Sequence, residues 1–299
     1  MDFIMVGEEV RKLRKTMGIS QKELCKGICT QAEISKIENN QTAPLANTLY
    51  HISKKLGVKI DYFFESSESN NYEYIDDFFY FLRNAVRKKD YVNLQRMIRS
   101  EKNNPLFQNN LAMKQLLRWH EGICIYHVNN DAKRAIELLN NSLEMTNHSK
   151  DYYIERELEI LNSIGIIYLE TEQYNLADET FQKALIQYKR LPFKNEKKVF
   201  SRLCYNYSNA LTNLEKYNES ISIAKEGIQS CIENESFYLI GELYFQVGRN
   251  YHKLNHLSLA QESFQKAIQV FSLQNKKSYV TLIQNNYLKS NSTAILPSN

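Results

Sequence analysis

The sequence predicts an all-α chain: an N-terminal helix-turn-helix domain, then a right-handed superhelix of about five helical hairpins, ended by a capping helix. Three observations predict it. Only 9 glycines and 4 prolines interrupt 299 residues, so long stretches are free of helix breakers. Two helix-start signatures lie close together near the N-terminus, S-Q-K-E from Ser20 and T-Q-A-E from Thr30. Further on, the segments beginning at Gly165 and Gly248 repeat each other with glycine, aromatic and alanine in register.

Residues 1–65 divide into short helices at their punctuation. Val6 to Met17 carries Val10, Leu13 and Met17 at helical spacing and stops at Gly18. Ser20 caps a second helix whose buried face is Leu24, Cys25 and Ile28, with Glu23 closing a capping box. Thr30 opens a third helix, with Glu33 completing a second box and Ile34 and Ile37 as apolar anchors. Pro44 precedes a fourth helix with Leu49, Ile52 and Leu56 on one side, closed by Gly57. An aromatic segment from Ile60 to Phe64 completes the domain. Two short capped helices joined by a tight turn are the pattern of a helix-turn-helix.

The stretch I-S-Q-K-E-L-C-K-G-I-C-T-Q-A-E-I-S-K-I-E-N-N-Q-T-A-P resembles the phage-repressor (XRE) type of helix-turn-helix, over nearly all of residues 6–65. That resemblance implies that the helix from Thr30 enters the major groove of double-stranded DNA. Thr30, Gln31, Glu33 and Lys36 then meet base edges, with Ser35 near the same face. Gln31 suits the N6/N7 edge of adenine and Glu33 the N4 amine of cytosine, although Glu33 serves equally as a plain capping residue. Gln21 is placed to hold a phosphate, and Arg11, Arg14 and Asn39 to reach the DNA backbone. Charge adds little, because ten basic and eight acidic residues leave this domain at only +2.

A polar, turn-rich stretch places a linker at residues 66–72, and the body runs from 73 to 290. Gly165, Tyr168, Ala177, Phe181 and Ala184 match Gly248, Tyr251, Ala260, Phe264 and Ala267 position for position. This is the tetratricopeptide pattern, in which small residues let paired helices approach while aromatics fill the gap. Weaker copies put Leu94, Ala135, Ala177, Ser220 and Ala260 in register, separated by 41, 42, 43 and 40 residues. Such hairpins stack into a superhelix whose concave face suits extended peptides. A last helix from Ser278 to Lys289 caps the array, and residues 291–299 form a flexible tail.

Helical phase assigns the inward positions of each first helix. They are Phe79, Arg83 and Val86; His120 and His127; Asn162 and Ile166; Tyr205, Asn206 and Asn209; Glu242, Phe245, Gln246 and Arg249. A file of amides suits hydrogen bonding to a peptide backbone, and serves equally to satisfy neighbouring helices. The two histidines match no metal spacing.

The combination of phage-repressor head and degenerate tetratricopeptide body resembles the RNPP quorum-sensing regulators, with local matches at Arg87-Lys88-Lys89-Asp90-Tyr91, Tyr205-Asn206 and Leu239-Ile240-Gly241-Glu242-Leu243-Tyr244. The resemblance implies a homodimer that binds an imported, processed signalling peptide in the concave groove and then activates genes at palindromic sites. It also implies peptide contacts at Phe64, Arg87, Lys89, Asn162, Asn206, Gln246 and Tyr279. Phe64 stands where a tyrosine is expected and Arg87 where a lysine is, which leaves the identity of the peptide open.

Other classes fit less well. The sequence carries no P-loop, G-x-S-x-G or H-E-x-x-H motif, so no enzyme, cofactor or metal is expected. Five cysteines, mostly far apart, suggest neither disulfides nor zinc, and a cytoplasmic location follows. No apolar run reaches membrane-spanning length. A docking platform controlled by a protein partner, or a repressor that responds through its thiols, remain the competing readings.

Overall fold

A computed structural model describes residues 6–65, 69–147, 152–194 and 196–288, and the tail predicted at 291–299 lies outside them. The chain divides into two compact units, Met1–Lys89 and Asp90–Asn299. Every element among the described residues is helical.

The first unit holds α1 (Val6–Thr16), α2 (Gln21–Cys25), α3 (Gln31–Glu38), α4 (Ala46–Lys55), α5 (Tyr62–Glu65) and α6 (Ser69–Arg87). Val10, Leu24, Ile34, Ile37, Ile52 and Phe63 form its core. The α1–α3 crossing is close: a Cβ on Gly7 would stand 1.8 Å from the carbonyl oxygen of Ile37. Met17 does not join the core as its spacing predicts. The helix ends at Thr16, Gly18 turns the chain at φ +71°, and Met17 is left 49% exposed. The capping box at Ser20 forms in both directions, with Glu23 N–H donating to Ser20 Oγ at 3.1 Å and Ser20 N–H to Glu23 Oε2 at 2.7 Å. At α3 the cap is the Thr30 hydroxyl alone, which accepts from Glu33 N–H at 3.2 Å.

A buried carboxylate ties the first three helices together. Glu38, 2% exposed, accepts from Arg14 Nε at 2.5 Å, Arg14 Nη2 at 2.8 Å and Gln21 Nε2 at 2.9 Å. Arg14 Nη1 also donates to the carbonyl of Ile19 at 2.8 Å, so its guanidinium spans the α1–α2 turn. Burial opposes the charge on Glu38, but the bonds from Arg14 and Gln21 outweigh it and hold its pKa below the ordinary value.

α6 begins at Ser69, inside the segment predicted as a linker at 66–72, and the division into units falls at Lys89–Asp90. Polarity alone points to a loop there, but a stretch without glycine or proline carries no strong barrier to helix.

The second unit opens with α7 (Tyr91–Glu101) and α8 (Pro105–Gln108), both packed on α9. Four hairpins follow: α9 (Leu111–Asn129) with α10 (Ala132–Glu144), α11 (Glu155–Glu170) with α12 (Tyr174–Arg190), α13 (Lys198–Asn213) with α14 (Tyr217–Glu233), and α15 (Ile240–Lys253) with α16 (Leu257–Leu273). Each hairpin packs on the next, and the first helices touch along the array, α9 on α11, α11 on α13 and α13 on α15. α17 (Lys277–Ile283) continues into a π-helical turn, Gln284–Leu288, and Ile283 and Tyr287 cover the apolar end left by Phe264 and Phe271.

The matching sequence positions acquire a physical meaning here. In the two hairpins with matching registers, a glycine of the first helix receives a ring from the second: a Cβ on Gly165 would lie 2.6 Å from Phe181, and one on Gly248 2.7 Å from Phe264. The connecting turns repeat as well. Lys89, Asn130, Glu172, Glu215 and Asn255 all take left-handed backbone, each five residues before a position aligned by sequence. A non-glycine residue there costs about 1 kcal/mol, offset by turn bonds such as Gln173 N–H to Tyr168 O and Lys216 N–H to Leu211 O, at 2.8 and 2.9 Å.

Two outcomes test these constraints. Gly165→Ala is expected to lower stability by about 1–3 kcal/mol, because fully buried Phe181 has nowhere to retreat; thermal unfolding of the parent and the variant checks it. Glu38→Gln strands the guanidinium of Arg14 and should cost about 3 kcal/mol. Since the folded-state pKa of Glu38 is lowered, its stabilisation is fully present above the ordinary carboxylate range and disappears as pH falls through the lowered value. Denaturant titrations across that acidic window should show a shallower pH dependence for the Gln variant.

Candidate nucleic-acid interface and ligand groove

In the first unit, the residues singled out for DNA contact fall on the N-terminal and outer face of α3. Thr30, Gln31 and Lys36 are exposed, while Glu33 and Ser35 are half-buried. With Ile34 and Ile37 locked into the core one turn apart, the helix can rotate little, so this face is fixed. Because the Thr30 hydroxyl caps the helix by itself, Glu33 is not needed to close a second capping box. The carbonyl of Ser35 accepts from both the backbone and the side-chain amide of Asn39, at 3.1 and 2.9 Å.

Gln21 is half-buried, and its amide nitrogen serves Glu38. Arg14, expected to reach a DNA backbone, is instead a structural cation with all three of its guanidinium nitrogens donating inside the domain. Its four-residue spacing from Val10 was the available signal, because that register turns it toward the apolar side of α1. Arg11, by contrast, is exposed.

Phe64, Arg87 and Lys89 also belong to the first unit. Phe64 is 44% exposed at α5. Arg87 ends α6 and donates from Nη2 to Asn84 Oδ1 at 3.1 Å, and Lys89 is an exposed turn residue at φ 57°.

In the second unit, the predicted inward residues gather on the first helices α11, α13 and α15. Asn206 Nδ2 donates to Asn162 Oδ1 at 2.9 Å, joining α13 to α11. Gln246 Nε2 donates to Thr212 Oγ1 at 2.9 Å and to Asn209 Oδ1 at 3.4 Å, joining α15 to α13. Asn162 and Gln246 are buried, whereas Tyr205, Asn206, Asn209 and Arg249 are half-buried. Glu242 is buried and accepts from Lys276 Nζ at 2.6 Å. Tyr279, 44% exposed, stacks on Phe271 at 4.8 Å between ring centroids. Burial, reinforced by Glu242 and Tyr279, raises the pKa of Tyr205, so its phenol stays a neutral donor.

The structure adds residues that phase did not name. Beneath Gln246, Asn250 Nδ2 donates to Ser220 Oγ at 2.8 Å, and its Oδ1 accepts from Thr212 Oγ1 at 2.9 Å. One turn before Asn206, Arg202 is paired with Glu159 and lies 3.4 Å from Glu196, with its guanidinium 5.7 Å from the Tyr238 ring centre. Burial opposes the charge of Arg202, but Glu159, Tyr238 and Glu196 together raise its pKa. Asn250 and Arg202 each stand four residues from a predicted site residue, and that spacing was the signal in the sequence. His120 Nδ1 lies 2.9 Å from the Leu116 carbonyl, and His127 stacks on Tyr91 at 3.9 Å.

Cys29, Cys124, Cys204 and Cys231 sit in surroundings that disfavour thiolate. Cys25, Cys124, Cys204 and Cys231 are buried, and burial pushes Cys124 up to about 12. No cluster of metal-binding residues occurs among the described residues, and no helix among them is long and apolar enough to cross a membrane.

Comparison with known proteins accords with this layout. Residues 10–63 match the helix-turn-helix family, and residues 81–290 match the RNPP family C-terminal domain. No curated protein sequence matches the chain significantly. Among solved structures, PlcR of Bacillus thuringiensis in complex with the peptide PapR7 and DNA is similar at 25% identity and a TM-score of 0.81, over 95% of this chain and 100% of that one. PlcR in its apo form is similar in fold at 23% identity and a TM-score of 0.67, over 94% and 98%. ComR from S. thermophilus, in complex with DNA and its signalling peptide ComS, shares the fold at 13% identity and a TM-score of 0.65, over 96% and 99%. With the C-terminal domain of that family covering most of its length behind a helix-turn-helix head, the chain belongs to the RNPP family.

Proposed function

We propose that the chain is a peptide-responsive transcription activator that works as a cytoplasmic homodimer on palindromic DNA and has no enzymatic activity of its own. One observation carries the reading. The chain joins a helix-turn-helix to the RNPP C-terminal domain, the arrangement seen over 95% of its length in a PlcR bound to both a peptide and DNA.

In this reading α3 enters the major groove. Gln31 and Glu33 read base edges, Thr30, Ser35 and Lys36 support them, and Gln21 turns the second amide hydrogen that Glu38 leaves it toward a phosphate. The signalling peptide lies along α11, α13 and α15. Tyr205, Asn206, Asn209 and Arg249 meet it directly, being half-buried, while Asn162 and Gln246 lie beneath and orient Asn206 and Asn209. Tyr279 and Glu242 mark the α15–α17 end. Phe64, Arg87 and Lys89 are further peptide contacts on the family's pattern, the two cations suiting an acidic side chain or a C-terminal carboxylate.

Calorimetric titration with the short C-terminal peptides of small exported proteins encoded beside the gene tests the ligand. Binding in the micromolar range or tighter is expected, weakened about tenfold by Asn206→Ala through lost amide bonds. The absence of binding by every candidate, with sequence-specific DNA binding intact, would turn the reading toward control by a protein partner. On the DNA side, Gln31→Ala should cost about 1–3 kcal/mol at one base position while leaving the salt dependence unchanged. Uniform weakening across all operator variants would instead make Gln31 a backbone contact.

A further inference from the structure

The second helices, which take no part in the inner groove, enclose a site of their own. Between the end of α12, the first turn of α13 and the length of α14 lies an open cavity of about 810 Å³. That volume falls in the range of sites that hold small molecules, roughly 300–1,000 Å³. Its apolar part is the half-buried ring of Phe200, backed by the buried ring of Tyr188 with centroids 5.2 Å apart. Its polar part is cationic, with Lys189, Lys194, Lys197 and Lys225 facing only Glu226 and Glu233.

The lining sets four lysines against two glutamates, a net charge of +2. Glu226 is held by Lys189 at 2.7 Å, and Glu233 accepts from Gln229 Nε2 at 3.0 Å. Lys225 bonds the Tyr251 hydroxyl at 2.9 Å. Lys194 stands 5.7 Å over the Tyr188 ring, and its ammonium reaches only the carbonyl of Leu191, at 3.4 Å. Lys197 makes no ion pair among the described residues. Two cations without an acidic partner among the described residues therefore stand beside the ring of Phe200 at the mouth of a cavity large enough for a fused ring system.

We propose that this cavity is a second ligand site, which takes a small aromatic anion, an aryl carboxylate or sulfonate, with its ring on Phe200 and its charge on Lys194 and Lys197. Phe200 supplies apolar contact and stacking, the lysines supply the sign, and a neutral ring system gains only the first. The tyrosine holds no competing negative charge, since burial raises its pKa to about 12. The site is separate from the inner face, so it offers the chain an input independent of the proposed peptide.

Calorimetry of the full chain with 2-naphthoate tests this directly, with 2-naphthamide as the neutral isostere. One naphthoate per chain is expected, bound at least about tenfold more tightly than the amide and weakened about tenfold by K194E/K197E, as loss of a charge-assisted contact requires. The thermal unfolding of that double variant should equal the parent's, because both side chains are exposed. Equal affinity for acid and amide, unchanged affinity in the double variant, or no saturable binding would each overturn the proposal. So would binding of an acidic peptide by a chain that ignores naphthoate, since the cleft would then be a protein-docking surface.

Discussion

The close approach of paired helices through a glycine notch is the contact on which the second unit depends. At Gly165 and Gly248 the rings of Phe181 and Phe264 occupy space that any side chain would fill. Interiors are packed to crystal-like density, so a ring seated in that way fixes both the separation and the rotation of its two helices. Rotation is what matters for function. A first helix turned by one residue would carry Asn162 or Gln246 about 100° away from its partner on the neighbouring hairpin. The repeating left-handed turn residue does the complementary task, fixing where each second helix begins.

Polar bonds then lock one hairpin to the next. Asn206 reaches Asn162 across 44 residues, Arg202 reaches Glu159 across 43, and Trp119 Nε1 reaches Ser163 Oγ across 44 at 2.9 Å. These separations are close to the repeat length, so equivalent faces of successive first helices are being joined. The head uses the same device on a smaller scale. Glu38 gathers Arg14 and Gln21 from two other helices, and the outer face of α3 stays available because its inner face is held twice, by packing and by charge. Removing one member of such a buried pair costs more than the pair itself contributes, because the other charge is left without water or partner.

Much of this was legible in the residues, for identifiable reasons. Caps and periodicity are local, so Ser20, Thr30 and the Gly–Tyr–Ala–Phe–Ala register gave the helices and the hairpins directly. Helical phase groups residues on one face of each first helix, because a 3.6-residue period reports direction. It reports no partner, however. That Gln246 lies 2% exposed over Thr212 and Asn250, and that Arg14 points inward to Glu38, depends on which helices meet, which no local pattern encodes. Residues 69–72 were read as loop because polarity resembles a linker, yet helix formation needs only the absence of breakers. Met17 had the right spacing and lost its place to the turn at Gly18.

The pairing of the groove amides constrains how a peptide would be recognised there. Asn162, Asn206, Asn209, Gln246 and Thr212 already exchange hydrogen bonds with one another. A peptide backbone entering that file extends or replaces existing bonds, and each replacement nets only about 0.5–1.5 kcal/mol. An amide offers two hydrogens and two lone pairs, so Asn206 and Asn209 retain capacity for a backbone while keeping their neighbours. Such contacts fix where an extended chain lies without distinguishing its sequence. Under the proposed reading, discrimination among peptides falls to groups that read side chains: the half-buried ring of Tyr205, kept neutral by its surroundings, the guanidinium of Arg249 and the stacked Tyr279. On that proposal the groove would divide its work between a shared amide rail and a few aromatic and charged positions. Receptors of this build can change peptide preference at the second set while the first preserves the fold.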